Sequence, residues 1–325
     1  MLPSTKRMSR LGLVIALAAC GGTDATTSPP QPEPSGWIYF GSAPEPGRNL
    51  QRVNVRTGAV EEIPWTAAFP AGQTFLTLPG MVSPVDGRVS AQGIVAGHSW
   101  PQTFVYDPQS GEVDLHGDPA ATRDFGHVWS PDGRSVVFER HLATGGDGRA
   151  RIVRLDVGTG VTDTLLVAAR QESVGRMVWL GNDSLIINYF AIPGGSEYRL
   201  IDLTTGRAST FTEVVHEGFG GALSFSRSGR WVSRWSNLFV EAPIGTPDSV
   251  LLAVRDRTTS DDWRRVRAID FYSTDGSIAV AFAPDEAFLA DCPADDAVRI
   301  VRLSDLKEVK RFRVPLCFAL SWSRV

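Results

Sequence analysis

Five histidines, three cysteines and one aspartate cluster are the side chains of this 325-residue chain whose types could do chemistry. The histidines are His98, His116, His127, His141 and His216, and no two of them stand at the short His-x-His or His-x-x-x-His spacing that makes a metal site specific. Isolated histidines are more often solvated or hydrogen-bonded than metal-bound. Asp291, Asp295 and Asp296 lack the alternating ligands and the glycine of a calcium loop, so they read as a solvated acidic loop. No G-x-S-x-G stretch offers a nucleophile elbow, and no glycine-rich phosphate loop lies between a strand and a helix. The sequence therefore assigns no catalytic residue and no cofactor.

The elements that must position these side chains repeat. Val128-Trp129-Ser130-Pro131-Asp132-Gly133-Arg134 is echoed at Val82 to Arg88, Phe225 to Arg230 and Phe282 to Glu286, more weakly at Val178 to Asp183, and by half a copy at Leu320 to Ser323. The anchor residues are Val82, Trp129, Trp179, Phe225, Phe282 and Trp322. Proline presets φ for the second position of a type I turn, and Asp and Gly suit the positions after it, so each copy reverses one strand into the next. A second turn signature follows each copy, as in Asn54 to Gly58, Asp107 to Gly111, Asp156 to Gly160 and Asp202 to Gly206. Even Arg-Ile-Val-Arg-Leu recurs verbatim at 151–155 and 299–303, three periods apart.

Four short strands per period, in tandem, predict an all-β propeller. The pattern resembles the TolB-type, WD-like β-propeller repeat over residues 37–325, most specifically at 125–166 and most faintly at 176–212, where the proline is missing. Trp37-Ile-Tyr-Phe40 enters as a second strand with no first, and Cys317 to Ser323 supplies a first strand with nothing after it. The two halves complete one blade, which predicts a six-bladed β-propeller closed by strand exchange between the N- and C-termini.

In such a ring the first-to-second and third-to-fourth turns share one face, and the second-to-third and blade-to-blade loops share the other. Cys292 falls in a second-to-third loop and Cys317 opens the closing blade, so both belong to the second face in neighbouring blades. They either form a disulfide that staples the closure or stay as two buried thiols. His98, His127, His141 and His216 fall near the same face. Oligogalacturonate lyases look like this propeller type and hold a divalent metal through histidines and a Gln; that resemblance makes these four the metal candidates, while their spacing argues for no metal. Trp129, Trp179 and Trp322 share one repeat position, the mark of packing between blades. Trp100, Trp231 and Trp235 lie outside it and are the candidates for sugar stacking.

Lys6, Arg7 and Arg10 precede an apolar run from Leu11 to Ala19, the order of a secretory signal, and the run is too short to span a bilayer. Leu17-Ala18-Ala19-Cys20 resembles the bacterial lipobox, which implies that Cys20 is lipidated and becomes the first residue. Residues 1–19 are then a lipoprotein signal peptide, 20–36 a lipidated Cys and Pro-rich tether of about 50 Å reach at ~3.1 Å per residue, and 37–325 the propeller. Gly21, where an Asp would favour the inner membrane, leans toward the outer one. At 42% hydrophobic and 21% charged the chain can build a core, and 32 basic against 36 acidic residues leave no basic face for nucleic acid. The expectation is a monomeric, membrane-tethered, non-enzymatic scaffold of the bacterial envelope that binds a protein or glycan. The competing class is a metal-dependent polysaccharide lyase or hydrolase at the propeller axis.

Overall fold

Tight turns dictate short strands. At the Ser130 turn the Ser135 amide donates to Ser130 Oγ at 2.9 Å, the Ser130 hydroxyl donates to Asp132 Oδ1 at 2.6 Å, and the Gly133 amide closes on the Ser130 carbonyl at 2.9 Å. Gly133 takes φ of 71°, and a Cβ there would come within 3.1 Å of Val85 in the neighbouring turn, so both conformation and space require glycine. The Asp156 and Asp202 turns use the other device: a carboxylate accepts backbone amides two or three residues on, and the following glycine closes the loop.

The computed structural model describes residues 32–41, 50–63, 74–75, 81–143, 146–170, 172–191, 195–211, 223–237, 249–259, 262–270, 280–292, 297–314 and 317–325. They form six small antiparallel sheets in a ring, a six-bladed β-propeller with no helix among the described residues. Blade two holds β4 (Thr74–Phe75), β5 (Met81–Val82), β6 (Val89–Ile94), β7 (Pro101–Tyr106) and β8 (Val113–His116). Its first strand is divided, since β4 and β5 pair opposite ends of β6. Blade three runs β9 (Thr122–Trp129), β10 (Ser135–Leu142), β11 (Arg151–Asp156) and β12 (Thr162–Val167). Blade four runs β13 (Glu172–Leu180), β14 (Ser184–Ala191), β15 (Gly195–Asp202) and β16 (Arg207–Thr210).

Blade five runs β17 (Leu223–Phe225), β18 (Trp231–Asn237), β19 (Ser249–Asp256) and β20 (Arg264–Asp270). Blade six runs β21 (Val280–Phe282), β22 (Phe288–Asp291), β23 (Ala297–Arg302) and β24 (Glu308–Arg313). Blade one draws on both ends of the sequence: β25 (Phe318–Ser323) pairs antiparallel with β1 (Trp37–Gly41), followed by β2 (Leu50–Asn54) and β3 (Val60–Ile63).

Each sheet is too small to bury a face alone, and the core is accordingly divided into six apolar clusters, one between each pair of neighbouring blades. Trp129 (6% exposed) packs between blades two and three, Trp179 (5%) between three and four, and Trp322 (3%) between six and one. Trp231 belongs here as well. At 6% exposure it lies between blades five and six, which corrects its reading as a surface stacking residue. Residues 1–31, including the signal, Cys20 and most of the tether, lie outside the described residues, and no described helix is long and apolar enough to cross a membrane.

Candidate functional site

The six innermost strands converge on a cavity of about 220 Å³ at the propeller axis. All six repeat anchors line it, because a residue at one repeat position recurs at one radius and height in every blade. Val128, Val178, Ser224, Ala281 and Ser321, each one residue before its anchor, complete the wall. Two of the wall's serines are engaged: Ser321 Oγ accepts from the Val82 amide at 3.3 Å, and Ser226 Oγ from the Trp231 amide at 3.0 Å. Trp179 Nε1 donates to the Val128 carbonyl at 3.3 Å, and Trp322 Nε1 to the Ser35 carbonyl at 2.9 Å.

The cavity lies toward the face of the first-to-second turns. Its rim is set two residues past the anchor, where Pro84, Pro131 and Pro284 stand in three blades and half-buried Arg227 stands in blade five. Arg324 holds the same repeat position in blade one, with its amide donating to the Pro84 carbonyl at 3.3 Å. The chain enters the propeller at Ser35 and Gly36 on this same face, against Trp322.

The opposite face holds the cysteines and histidines. Cys292, just past β22, and Cys317, just before β25, are joined as a disulfide with Cα atoms 5.7 Å apart. The histidines do not converge. His127 is buried in β9, its Nε2 lies 3.2 Å from Thr103 Oγ1 of blade two, and burial holds its pKa down to about 3. His141 Nε2 lies 2.5 Å from Glu139 Oε1 on its own strand, with Phe125 edge-on to its ring. His98 is exposed beside the 95–97 turn, and His216 lies outside the described residues. Among the described residues no group of three or more His, Cys, Asp or Glu is placed to hold a metal.

Asp291 is also not part of a solvated loop: it is fully buried and pairs with Arg299 through two bonds of 2.8 and 2.6 Å, while Asp295 and Asp296 lie outside the described residues. The same face contains a buried network between blades two and three that the sequence reading missed. Asp124, at 0% exposure, accepts from Arg140 Nε (2.7 Å) and Nη2 (2.8 Å) and from Thr103 N (3.2 Å) and Oγ1 (2.9 Å). Gln92 Nε2 donates to the Asp124 carbonyl at 2.7 Å, and Arg140 Nη2 to the carbonyl of His116 at 3.0 Å. The sequence did not mark these residues out, because Thr103 and Asp124 stand next to other polar side chains, Gln102 and Arg123.

No family model matches the sequence, and no curated protein matches it. Among solved structures, TolB from Acinetobacter baumannii superposes with a TM-score of 0.55 at 14% identity, covering 89% of this chain and 66% of that one. The fold is a TolB-type β-propeller. The chain spans just under two thirds of that TolB chain's length. A nidogen/laminin complex matches with a TM-score of 0.50 at 10% identity, over 88% of this chain and 97% of that one. An oligogalacturonate lyase in complex with manganese gives 0.49 at 11%, over 87% and 86%. At these identities the likeness is one of fold.

Proposed function

We propose that this protein is a lipid-anchored propeller of the bacterial envelope that binds a segment of a partner protein at the axial cavity and does no chemistry on it. The observation that carries this reading is the cavity's composition and size. At about 220 Å³ it is smaller than the roughly 300–1,000 Å³ of small-molecule sites and suits one large side chain. A saccharide would bring hydroxyls into a wall where Ser226 and Ser321 are already engaged, and each buried hydroxyl left unpaired costs about 1–3 kcal/mol. A protein side chain brings apolar surface instead. Lipidation at Cys20 and an envelope location rest on the signal sequence, and Ser35 and Gly36 lie on the same face as the cavity rim.

The test is site-specific photo-crosslinking in the native membrane, with the probe at Ser224 in the cavity wall and, as control, at Ser209 on the exposed outer strand β16. A discrete protein adduct from Ser224 and none from Ser209 is expected. Equal labelling from both positions, or none from Ser224, overturns the reading. In the same fractionation Cys20→Ala is expected to release the protein from the membrane, and continued sedimentation with membranes would defeat the anchor.

A further inference from the structure

At the repeat position where three blades carry proline, two carry arginine, and this departure has a chemical meaning. Arg227 lines the cavity in blade five, and Arg324 occupies the equivalent position in blade one. Of the other arginines of the face, Arg88 pairs with Asp86 at 2.7 Å, Arg230 with Asp256 at 2.6 Å, and Arg257 donates to the Gly229 carbonyl at 2.8 Å, while Arg134 is exposed and outside the cavity lining. Three of the face's carboxylates are engaged too. Asp132 takes the Ser130 hydroxyl and the Arg134 amide, Asp285 takes the Ala287 amide, and Glu286 takes the Ser228 amide and hydroxyl. Neither Arg227 nor Arg324 makes an ion pair with a described residue. The backbone beneath Arg324 is held in place by its amide bond to Pro84 and by the Tyr39 hydroxyl, which donates to the Val325 carbonyl at 3.1 Å.

We infer that the partner segment is an acidic peptide, in which a large apolar side chain enters the axial cavity while an adjacent Asp or Glu carboxylate pairs with Arg227 and Arg324 at the rim. This rests on the axial binding proposed above and specifies its ligand. Charge complementarity selects the occupant: a well lined by Arg227, whose guanidinium pairs with no described residue, favours a ligand that supplies both an apolar group and an anion. Guanidinium presents a rigid fork of donors matched to carboxylate geometry, and its charge-assisted bonds are about twice as strong as neutral ones. Because the site is half open, the attraction is screened by salt and sharpens selection more than it adds raw affinity.

The experiment is selection of a random twelve-residue peptide library on the full-length protein, followed by titration of the enriched synthetic peptides. Enrichment of an acidic residue within two positions of Trp, Phe or Leu is expected. Arg227→Gln should weaken those peptides about tenfold, the worth of one charge-assisted bond, and the more exposed Arg324→Gln about threefold. Both variants should melt with the parent, since neither side chain supports described structure. Replacing the peptide's acidic residue by its amide should remove the dependence on Arg227. Ser224→Trp, which fills the cavity, should abolish binding of every enriched peptide.

The failures are separable. Peptides that bind the cavity, as judged by Ser224→Trp, but lack acidic enrichment or ignore the Arg227→Gln and Arg324→Gln pair defeat the acidic-ligand inference and leave axial protein binding intact. Peptides indifferent to Ser224→Trp, or no enrichment at all, defeat both. Binding of a hexagalacturonate in place of peptides, sensitive to Arg227→Gln, would overturn the commitment to a protein ligand.

Discussion

The interface between blades two and three and the interface between blades six and one are fastened at the same place by different chemistry. Counted from the residue that pairs with the repeat anchor, the third position along the second strand is Gln92 in blade two and Cys292 in blade six. Both point across to the next blade. Gln92 reaches the carbonyl of Asp124, beside the buried Asp124–Arg140 pair; Cys292 reaches Cys317. The difference follows connectivity. Blades two and three are each continuous stretches of chain, and hydrogen bonds suffice to set their angle. β25, by contrast, is held to the rest of blade one by pairing with β1 and by the packing of Leu320 and Trp322, so a covalent link to blade six limits how far it can stray. The propeller places its strongest fasteners on the loop face and leaves the turn face, with its cavity, to repeat geometry.

The comparison breaks most sharply at Asp124. Asp124→Ala strands the Arg140 guanidinium and two Thr103 donors inside the protein, and removal of one partner of a buried pair costs about 3–5 kcal/mol. Denaturant unfolding should show that loss, and a change under 1 kcal/mol would mean that water replaces the carboxylate and the network is not buried in solution. Next comes the disulfide. Its 25-residue separation corresponds to about 3.5 kcal/mol in the chain-entropy account, so Cys317→Ser should lose nearly as much in oxidising buffer and nothing in reductant. Equal stability of parent and variant in oxidising buffer would show two thiols there.

His127 gives the smallest effect at neutral pH and a distinct pH signature. Its pKa is 6.5 when unfolded and about 3 when folded, because burial penalises the charged ring. As pH falls below about 6.5 the unfolded chain takes up a proton that the folded one refuses, so this residue lowers stability progressively down to about pH 3. His127→Gln, which can keep a bond to Thr103, should flatten that part of the melting-temperature profile and leave pH 8 nearly unchanged. A profile parallel to that of the parent would show that His127 is hydrated, and the blade two to three interface with it.

Much of the architecture was legible because turns are local. Ser130 to Gly133 and Asp156 to Gly160 close on themselves through bonds within a few residues, so their sequences announce where strands end, and their recurrence announces blades. The anchor tryptophans were legible as packing for the same reason. Trp231 was misread because its place in blade five is offset from the anchor and only its neighbours in blade six bury it. Asp291 was misread because its partner, Arg299, lies across a hairpin. The scattered histidines could be sorted only once strand pairing showed His127 facing blade two while His141 stays with Glu139.

By itself, then, the sequence determined the export-type N-terminus as a pattern, the four-stranded repeat and the number of blades, since each depends on residues close together in the chain. The tertiary structure alone decided what the blades enclose. A cavity whose wall takes residues from all six blades, with Arg227 in its lining, exists only when the ring is closed, because closure brings equivalent repeat positions to a common axis.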